Sequence, residues 1–189
     1  PKPVFILPGD NEWNDAPNVD EAWTFWTRNF LYLDNHWKHP FKVARQSVRP
    51  ENFAFVDGRV LFIGLNLVGG RVHDAEEWKT RHAQNVAWIE SVFSEHGKAV
   101  DSSVVFAQAL PNSTHADFMS GFVAAAQAFE KPVLFVHGDG HRWLHTPQFA
   151  ATNITRIQVD QGGIAPPLLV RATGDPRVPF IFDRRLAGE

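Results

Sequence analysis

The chain of 189 residues contains no cysteine, one methionine and one tyrosine. The absence of cysteine excludes disulfide bonds and thiolate metal sites, and it leaves the cellular compartment undecided. No apolar run approaches the roughly 20 residues that cross a bilayer as a helix, so we expect no membrane span. Basic residues are not in excess, since 18 Lys and Arg stand against 21 Asp and Glu for a net charge of −3. Nucleic-acid binding therefore has little electrostatic support.

Apolar and aromatic residues are abundant instead. The chain is 44% hydrophobic and has 7 Trp and 16 Phe, which is typical of a globular protein with a large aromatic core. We find no internal repeat and no long linker, and predict a single domain over residues 1–189. Because the first residue is Pro and an apolar run follows at once, we expect a domain whose N-terminal part is missing. Core surface exposed in this way would favour association with another chain.

Hydrophobic patterning predicts an α/β fold. Two pairs of residues have the three-residue spacing of a capping box, in which the first residue caps the start of a helix. They are Asn18 with Glu21 and Asp74 with Glu77. Asp57-Gly58 lies between two apolar runs and indicates a β-hairpin. Strands and helices alternate early and strands dominate late, which favours two packed sheets with helices outside. The predicted strands are residues 4–7, 53–56, 60–65, 104–107, 133–136, 154–159, 168–172 and 178–182, and the third predicted helix is 117–129.

Two of these predicted strands end in short polar loops that are suited to a hydrolytic metal site. The first loop is Gly9-Asp10-Asn11-Glu12, and the second is His137-Gly138-Asp139-Gly140-His141. Asp and Asn supply hard oxygen ligands, and in an extended loop two residues spaced two apart point the same way. Each loop taken alone is more simply interpreted as an ordinary turn.

Other polar residues have simpler interpretations. Gln108 follows the strand at 104–107, where a hydrogen-bonding role is the commoner one. His82 is most simply a surface or helix-face residue, on the same helix face as Trp78 and Val86. His115 is most simply a surface-loop histidine, with a role in a site as the alternative. Arg45 and Arg49 indicate structural salt bridges or, alternatively, a phosphate contact.

With these motifs the sequence resembles the calcineurin-like metallophosphoesterases. That superfamily carries five ordered motifs on a two-sheet αββα sandwich. The segment 8–12 is similar to the third motif, Gly-Asn-His-Asp/Glu. Gln108 falls where an isolated His is expected, and the segment 138–141 is similar to the fifth motif, Gly-His-x-His. Four further segments resemble one bacterial branch of the superfamily: residues 45–46, 50–52, 60–70 and 153–156.

The motifs depart from the superfamily pattern in several places. Without a gap, Asp10 takes the position of the ligand Asn and Asn11 that of the catalytic His. With a shift of one residue, Asn11 is the ligand and Glu12 replaces the His. Gln108 and Asp139 stand where the superfamily has His, whereas His141 matches. The first two motifs are absent from this sequence.

The resemblance implies hydrolysis of phosphate mono- or diesters of a small molecule by two divalent metal ions, with Mn, Fe, Zn and Mg not distinguished. This chain would carry about half of that site. The implied catalytic residues are Asn11 and Glu12, and the implied ligands are Asp10, Asn11, Gln108, Asp139 and His141.

Two alternatives remain. The first is a phosphoesterase-like binding or structural module without catalysis. The second is an unrelated α/β domain that binds carbohydrate through Trp13, Trp37 and Trp143.

Overall fold

A seven-stranded mixed sheet dominates the computed structural model, which describes residues 2–186. The strand order is β1-β2-β3-β4-β5-β7-β6. The strands are β1 (Ala44–Gln46), β2 (Arg49–Asp57), β3 (Val60–Gly64), β4 (Ser102–Phe106), β5 (Val133–His137), β6 (Leu144–Thr146) and β7 (Ile154–Gln158).

The centre of this sheet is parallel and its margins are antiparallel. Strands β3, β4, β5 and β7 run in the same direction. The predicted hairpin at Asp57-Gly58 is confirmed: Asp57 pairs with Val60, and Gly58 takes the positive φ of 56° that the tight turn requires. Strands β1 and β6 add antiparallel margins to β2 and β7. The parallel strands therefore present their carboxyl ends at one edge, where α/β proteins bind ligands.

Two helices cover one face of the sheet, α2 (Ala75–His96) and α3 (Ala116–Phe129). Asp74 caps α2 as predicted, since its side chain accepts hydrogen bonds from the backbone N–H groups of Glu76 and Glu77. The two helices pack closely at Gly121, where an added Cβ would lie 2.7 Å from a methyl group of Val86. None of the helices in residues 2–186 is long and apolar enough to cross a membrane.

A small second sheet packs against the opposite face. It consists of the antiparallel pair β8 (Leu169–Ala172) and β9 (Phe180–Asp183). Phe180 contributes to a separate core with Val104, Leu134 and Ile157. The mixed α/β class with two sheets is thus confirmed, whereas a full αββα sandwich goes beyond this arrangement and stays a prediction.

Helix α1 (Val19–Phe30) begins where the sequence predicts. The Asn18 side chain accepts from the Glu21 backbone N–H, as a helix cap does. On α1, Trp23 stacks on Trp26 at 5.3 Å and approaches Trp13 at 4.4 Å between ring centroids. An aromatic cluster thus joins α1 to the loop that follows residue 10.

The predicted strand at residues 4–7 is wrong. Residues 2–9 form no strand, and Val4 is 47% exposed. Phe5 lies instead on the sheet face, stacked on Phe55 at 4.5 Å. An apolar run becomes a strand only when a neighbouring backbone pairs with it, and this segment packs through its side chains without that pairing.

Candidate functional site

The loop that follows residue 9 forms a compact turn at the carboxyl ends of the parallel strands. The Asp10 carbonyl accepts hydrogen bonds from the N–H groups of Trp13 at 3.1 Å and Asp15 at 3.0 Å. The buried Asn14 side chain ties this turn to the segment after β3, donating to the carbonyls of Gly69 and Arg71 at 2.8 Å each. The turn interpretation of this loop is therefore correct, and the turn also fixes Asp10 beside the strand ends.

Gln108 links Asp10 to the segment after β3. Its Nε2 donates to Asp10 Oδ1 at 3.0 Å, and its Oε1 accepts from the Gly69 backbone N–H at 2.6 Å. The Gln108 backbone N–H is itself bonded to the Leu67 carbonyl. Because both amide atoms are used, Gln108 positions the Asp10 carboxylate, while its role as a metal ligand stays a prediction.

Asp139 brings a second carboxylate to the same place. Its Oδ2 lies 3.4 Å from the donating backbone N–H of Leu110, and a Cβ added at Gly69 would lie 2.4 Å from that oxygen. Asp139 has a φ of 65°, in the left-handed region that Asp tolerates better than most residues. Burial raises the pKa of the Asp139 carboxyl, and the Asp10 carboxylate raises it further. Two negative charges are thus brought together in a half-buried crevice.

His141 is exposed and acts on this crevice electrostatically, since it lowers the pKa of Asp139. Its φ of 56° places it outside the extended geometry that the sequence argument assumed for the loop. Asn11 and Glu12 are exposed on the side of the turn that faces α1. The structure therefore brings Asp10, Gln108 and Asp139 together, with His141 nearby and the two predicted catalytic residues at the margin.

A metal centre is only partly provided for in these residues. Within residues 2–186 no three His, Asp or Glu side chains are arranged to hold a metal ion. The crevice offers two carboxylates, from Asp10 and Asp139, together with an amide oxygen that already accepts one hydrogen bond. This set fits part of the coordination shell of a hard cation and falls short of a two-metal centre.

His137 packs beneath the site. Its Nδ1 donates to the Gly138 carbonyl at 2.9 Å, and its Nε2 accepts from Arg156 Nε at 2.9 Å. Both nitrogens are satisfied by a neutral ring, and burial lowers the pKa of His137 to about 4. His137 thus supports the end of β5 and does not join the carboxylates.

Two buried histidines and the exposed carboxylate of Asp117 form a chain of titratable groups between α2 and the start of α3, and the sequence analysis missed it. His82 Nδ1 is 2.6 Å from Asp117 Oδ1, and His82 Nε2 is 2.9 Å from His115 Nδ1. His82 is 3% exposed and lies on the buried face of α2, whereas His115 is 1% exposed, so the prediction of a surface-loop histidine at residue 115 is wrong. Their burial depends on which helices meet, for which the local sequence has no signal. The ring of Trp78 stacks on His115 at 5.0 Å and completes its enclosure.

The direction of the proton donors along this chain follows from the carboxylate. Asp117 accepts, so His82 Nδ1 carries the hydrogen and, in a neutral ring, Nε2 is the acceptor. His115 Nδ1 then donates to His82. The remaining nitrogen, His115 Nε2, has no hydrogen-bond partner among residues 2–186. Burial lowers the pKa of both histidines, that of His115 to about 4.

Arg45 and Arg49 form salt bridges, as the structural interpretation predicts. Arg45 pairs with Asp34, and Arg49 pairs with Glu77 at 3.0 Å and Glu51 at 3.5 Å. Their charges are thus already partnered within the fold.

Comparisons with known proteins add no relative to this description. The chain matches no protein-family model, and searches of the curated proteins and of the solved structures returned no match.

Proposed function

We propose that this chain carries part of the metal-binding centre of a phosphoesterase that hydrolyses phosphate mono- or diesters. One observation carries the proposal: Asp10 and Asp139, which lie far apart in the sequence, meet through Gln108 at the carboxyl ends of parallel strands. The motif resemblance of segments 8–12 and 138–141 supports the same chemistry.

The charge of the crevice supports a divalent cation there. Two carboxylates share a half-buried space, and the pKa of Asp139 is raised first by its burial and then by the negative charge of Asp10. A cation between the two carboxylates would offset both effects, and carboxylate oxygens suit Mg, Mn, Fe or Zn. A bound metal would polarise a phosphoryl oxygen and activate water. In this proposal Asp10 and Asp139 are ligands, and His141 completes the set from this chain. A second metal would need ligands beyond the group described here.

The residues of this chain have distinct roles in the proposal. Gln108 holds the Asp10 carboxylate in place, and the Leu110 N–H does the same for Asp139. Glu12 lies on the Asp10 turn and is the group there that can give a proton to a leaving alcohol. Asn11 beside it can hydrogen-bond that alcohol but cannot act as an acid.

The test combines metal binding with hydrolysis. Mn²⁺ affinity is measured by calorimetry, and hydrolysis of bis(4-nitrophenyl) phosphate is followed with and without Mn²⁺. We expect Asp139→Asn to weaken Mn²⁺ binding and metal-dependent hydrolysis by at least about tenfold, the scale on which even the partners of metal ligands act. Asp57→Asn is the matched control, because Asn-Gly suits the exposed hairpin turn as well as Asp-Gly does.

A binding module without catalysis is the second candidate. It is favoured by the engaged amide oxygen of Gln108 and by the lack of a third carboxylate or imidazole ligand within residues 2–186. Absence of Mn²⁺ binding and of hydrolysis in the unmodified protein would reject the phosphoesterase proposal and support this candidate.

A further inference from the structure

A cavity of about 410 Å³ adjoins the candidate site on the sheet face opposite α2 and α3. Its floor is formed by side chains of β2, β3 and β4, among them Phe55, Phe62 and Phe106. Its outer wall is the N-terminal segment, which contributes Phe5 and Leu7. A volume of this size falls in the range of about 300–1,000 Å³ that is usual for small-molecule sites.

One end of the cavity lies next to the candidate site. Ala107 and Gly138 line that end, and they directly precede Gln108 and Asp139 in the chain. A molecule in the cavity therefore has apolar walls along its length and one end directed towards the carboxylate–amide crevice. Few polar groups beside a mostly apolar lining are the usual composition of a ligand site.

The arrangement of the rings favours an aromatic occupant. Phe55 is stacked by Phe5 at 4.5 Å and by Phe62 at 5.0 Å, with interplanar angles of 20° and 12°. Phe106 is half-buried in the same lining and has no aromatic partner among residues 2–186. Its position two residues before Gln108 leaves an aromatic surface open to the cavity next to the polar crevice.

We propose that this cavity binds a flat aromatic ring, which packs against Phe106. A second part rests on the proposed function: the ring belongs to the aromatic alcohol of a phosphoester whose phosphate lies at Asp10 and Asp139. The ring supplies affinity through apolar burial and stacking, and the crevice selects the ester group.

The first part is tested with ligands that carry no phosphate. Calorimetric affinities are measured for 2-naphthol and for its saturated counterpart 2-decalol, which is similar in size and polarity but has no aromatic surface. We expect the unmodified protein to prefer 2-naphthol. Phe106→Leu keeps an apolar side chain and should reduce that preference by roughly 2- to 12-fold, the range for one aromatic pair.

The ratio of the two affinities separates ring recognition from loss of packing, because a loosened cavity would weaken both ligands together. Phe25→Leu is the matched control, since Phe25 is 63% exposed on α1 and lies outside the cavity. Val159 lines the cavity directly after β7, so Val159→Phe would fill the cavity and should abolish binding of both ligands. No binding of 2-naphthol to the unmodified protein, or an equal preference in Phe106→Leu, overturns the proposal.

The second part is tested with 2-naphthyl phosphate. We expect it to be hydrolysed with a higher kcat/KM than methyl phosphate, and the advantage should fall in Phe106→Leu. If 2-naphthol binds but neither ester is hydrolysed, the cavity proposal stands and the phosphoesterase proposal fails. If both esters are hydrolysed and 2-naphthol does not bind, the phosphoesterase proposal stands and the cavity proposal fails.

Discussion

The buried His115 should make the stability of this protein fall as the pH decreases from 7 to 5. His115 has a pKa of about 4 in the folded protein, because burial disfavours its charged form, whereas an unfolded His titrates near 6.5. Between these values the unfolded chain binds a proton that the folded protein does not. Acidification therefore favours unfolding in this window, and the stability associated with the neutral ring is complete only above about pH 6.5.

The size of the effect follows from these two pKa values. Proton linkage predicts that His115 alone lowers the free energy of unfolding by about 1–2 kcal/mol between pH 7 and pH 5. His137 adds a separate decrease of the same sign, since burial lowers its pKa to about 4 as well, and the lowered pKa of His82 acts in the same direction. Replacing His115 should therefore remove one share of the pH dependence and leave the others.

The assay is urea unfolding of the unmodified protein and of His115→Gln at pH 7 and pH 5. The variant should be less stable at pH 7, because Gln loses the stacking with Trp78, yet its loss between the two pH values should be about 1–2 kcal/mol smaller. His36→Gln makes the same change on an exposed turn and should keep the full pH dependence. Equal pH dependence in His115→Gln and in the unmodified protein would refute the reasoning.

Two further predictions concern packing. Gly121→Ala should destabilise the protein by about 0–2 kcal/mol, because overpacking against Val86 outweighs a helix-propensity gain of up to about 1 kcal/mol. In a Val86→Ala background the same substitution should become stabilising. Thermal unfolding measures both effects, and the same sign in both backgrounds would contradict the prediction. Asn52→Ala should lower the free energy of unfolding, measured in urea, by roughly 2–4 kcal/mol. Asn52 is fully buried and forms hydrogen bonds with Gln46, Asn85 and the Asn66 backbone. A decrease below about 1 kcal/mol would show that water replaces these hydrogen bonds.

The helix starts and the hairpin could be predicted from the sequence because their causes are local. Asn18 and Asp74 cap helices through N–H groups two or three residues away. Asp57-Gly58 closes its turn with the residues on either side. The strand at residues 4–7 could not be judged in this way, because a strand exists only through backbone pairing with a distant segment.

The candidate site likewise contains features that the local sequence predicts and features that depend on distant contacts. Its residue types and their positions at strand ends were visible in the sequence, and Asp10, Gln108 and Asp139 were singled out for that reason. The burial of His82 and His115 was missed, because a histidine on a helix face gives no local sign of what packs on it.

The sequence by itself determined the α/β class, the helix starts and the location of the polar loops, since each depends on periodicity or on neighbours within a few residues. Only the tertiary structure decided that Gln108 bonds Asp10, 98 residues away, and that Phe5 lies over the sheet and does not pair within it. It also decided which aromatic rings enclose the cavity. Such contacts form between segments that are distant in the sequence. They are stable only once the separate helices and strands have packed together, so local sequence patterns do not reveal them.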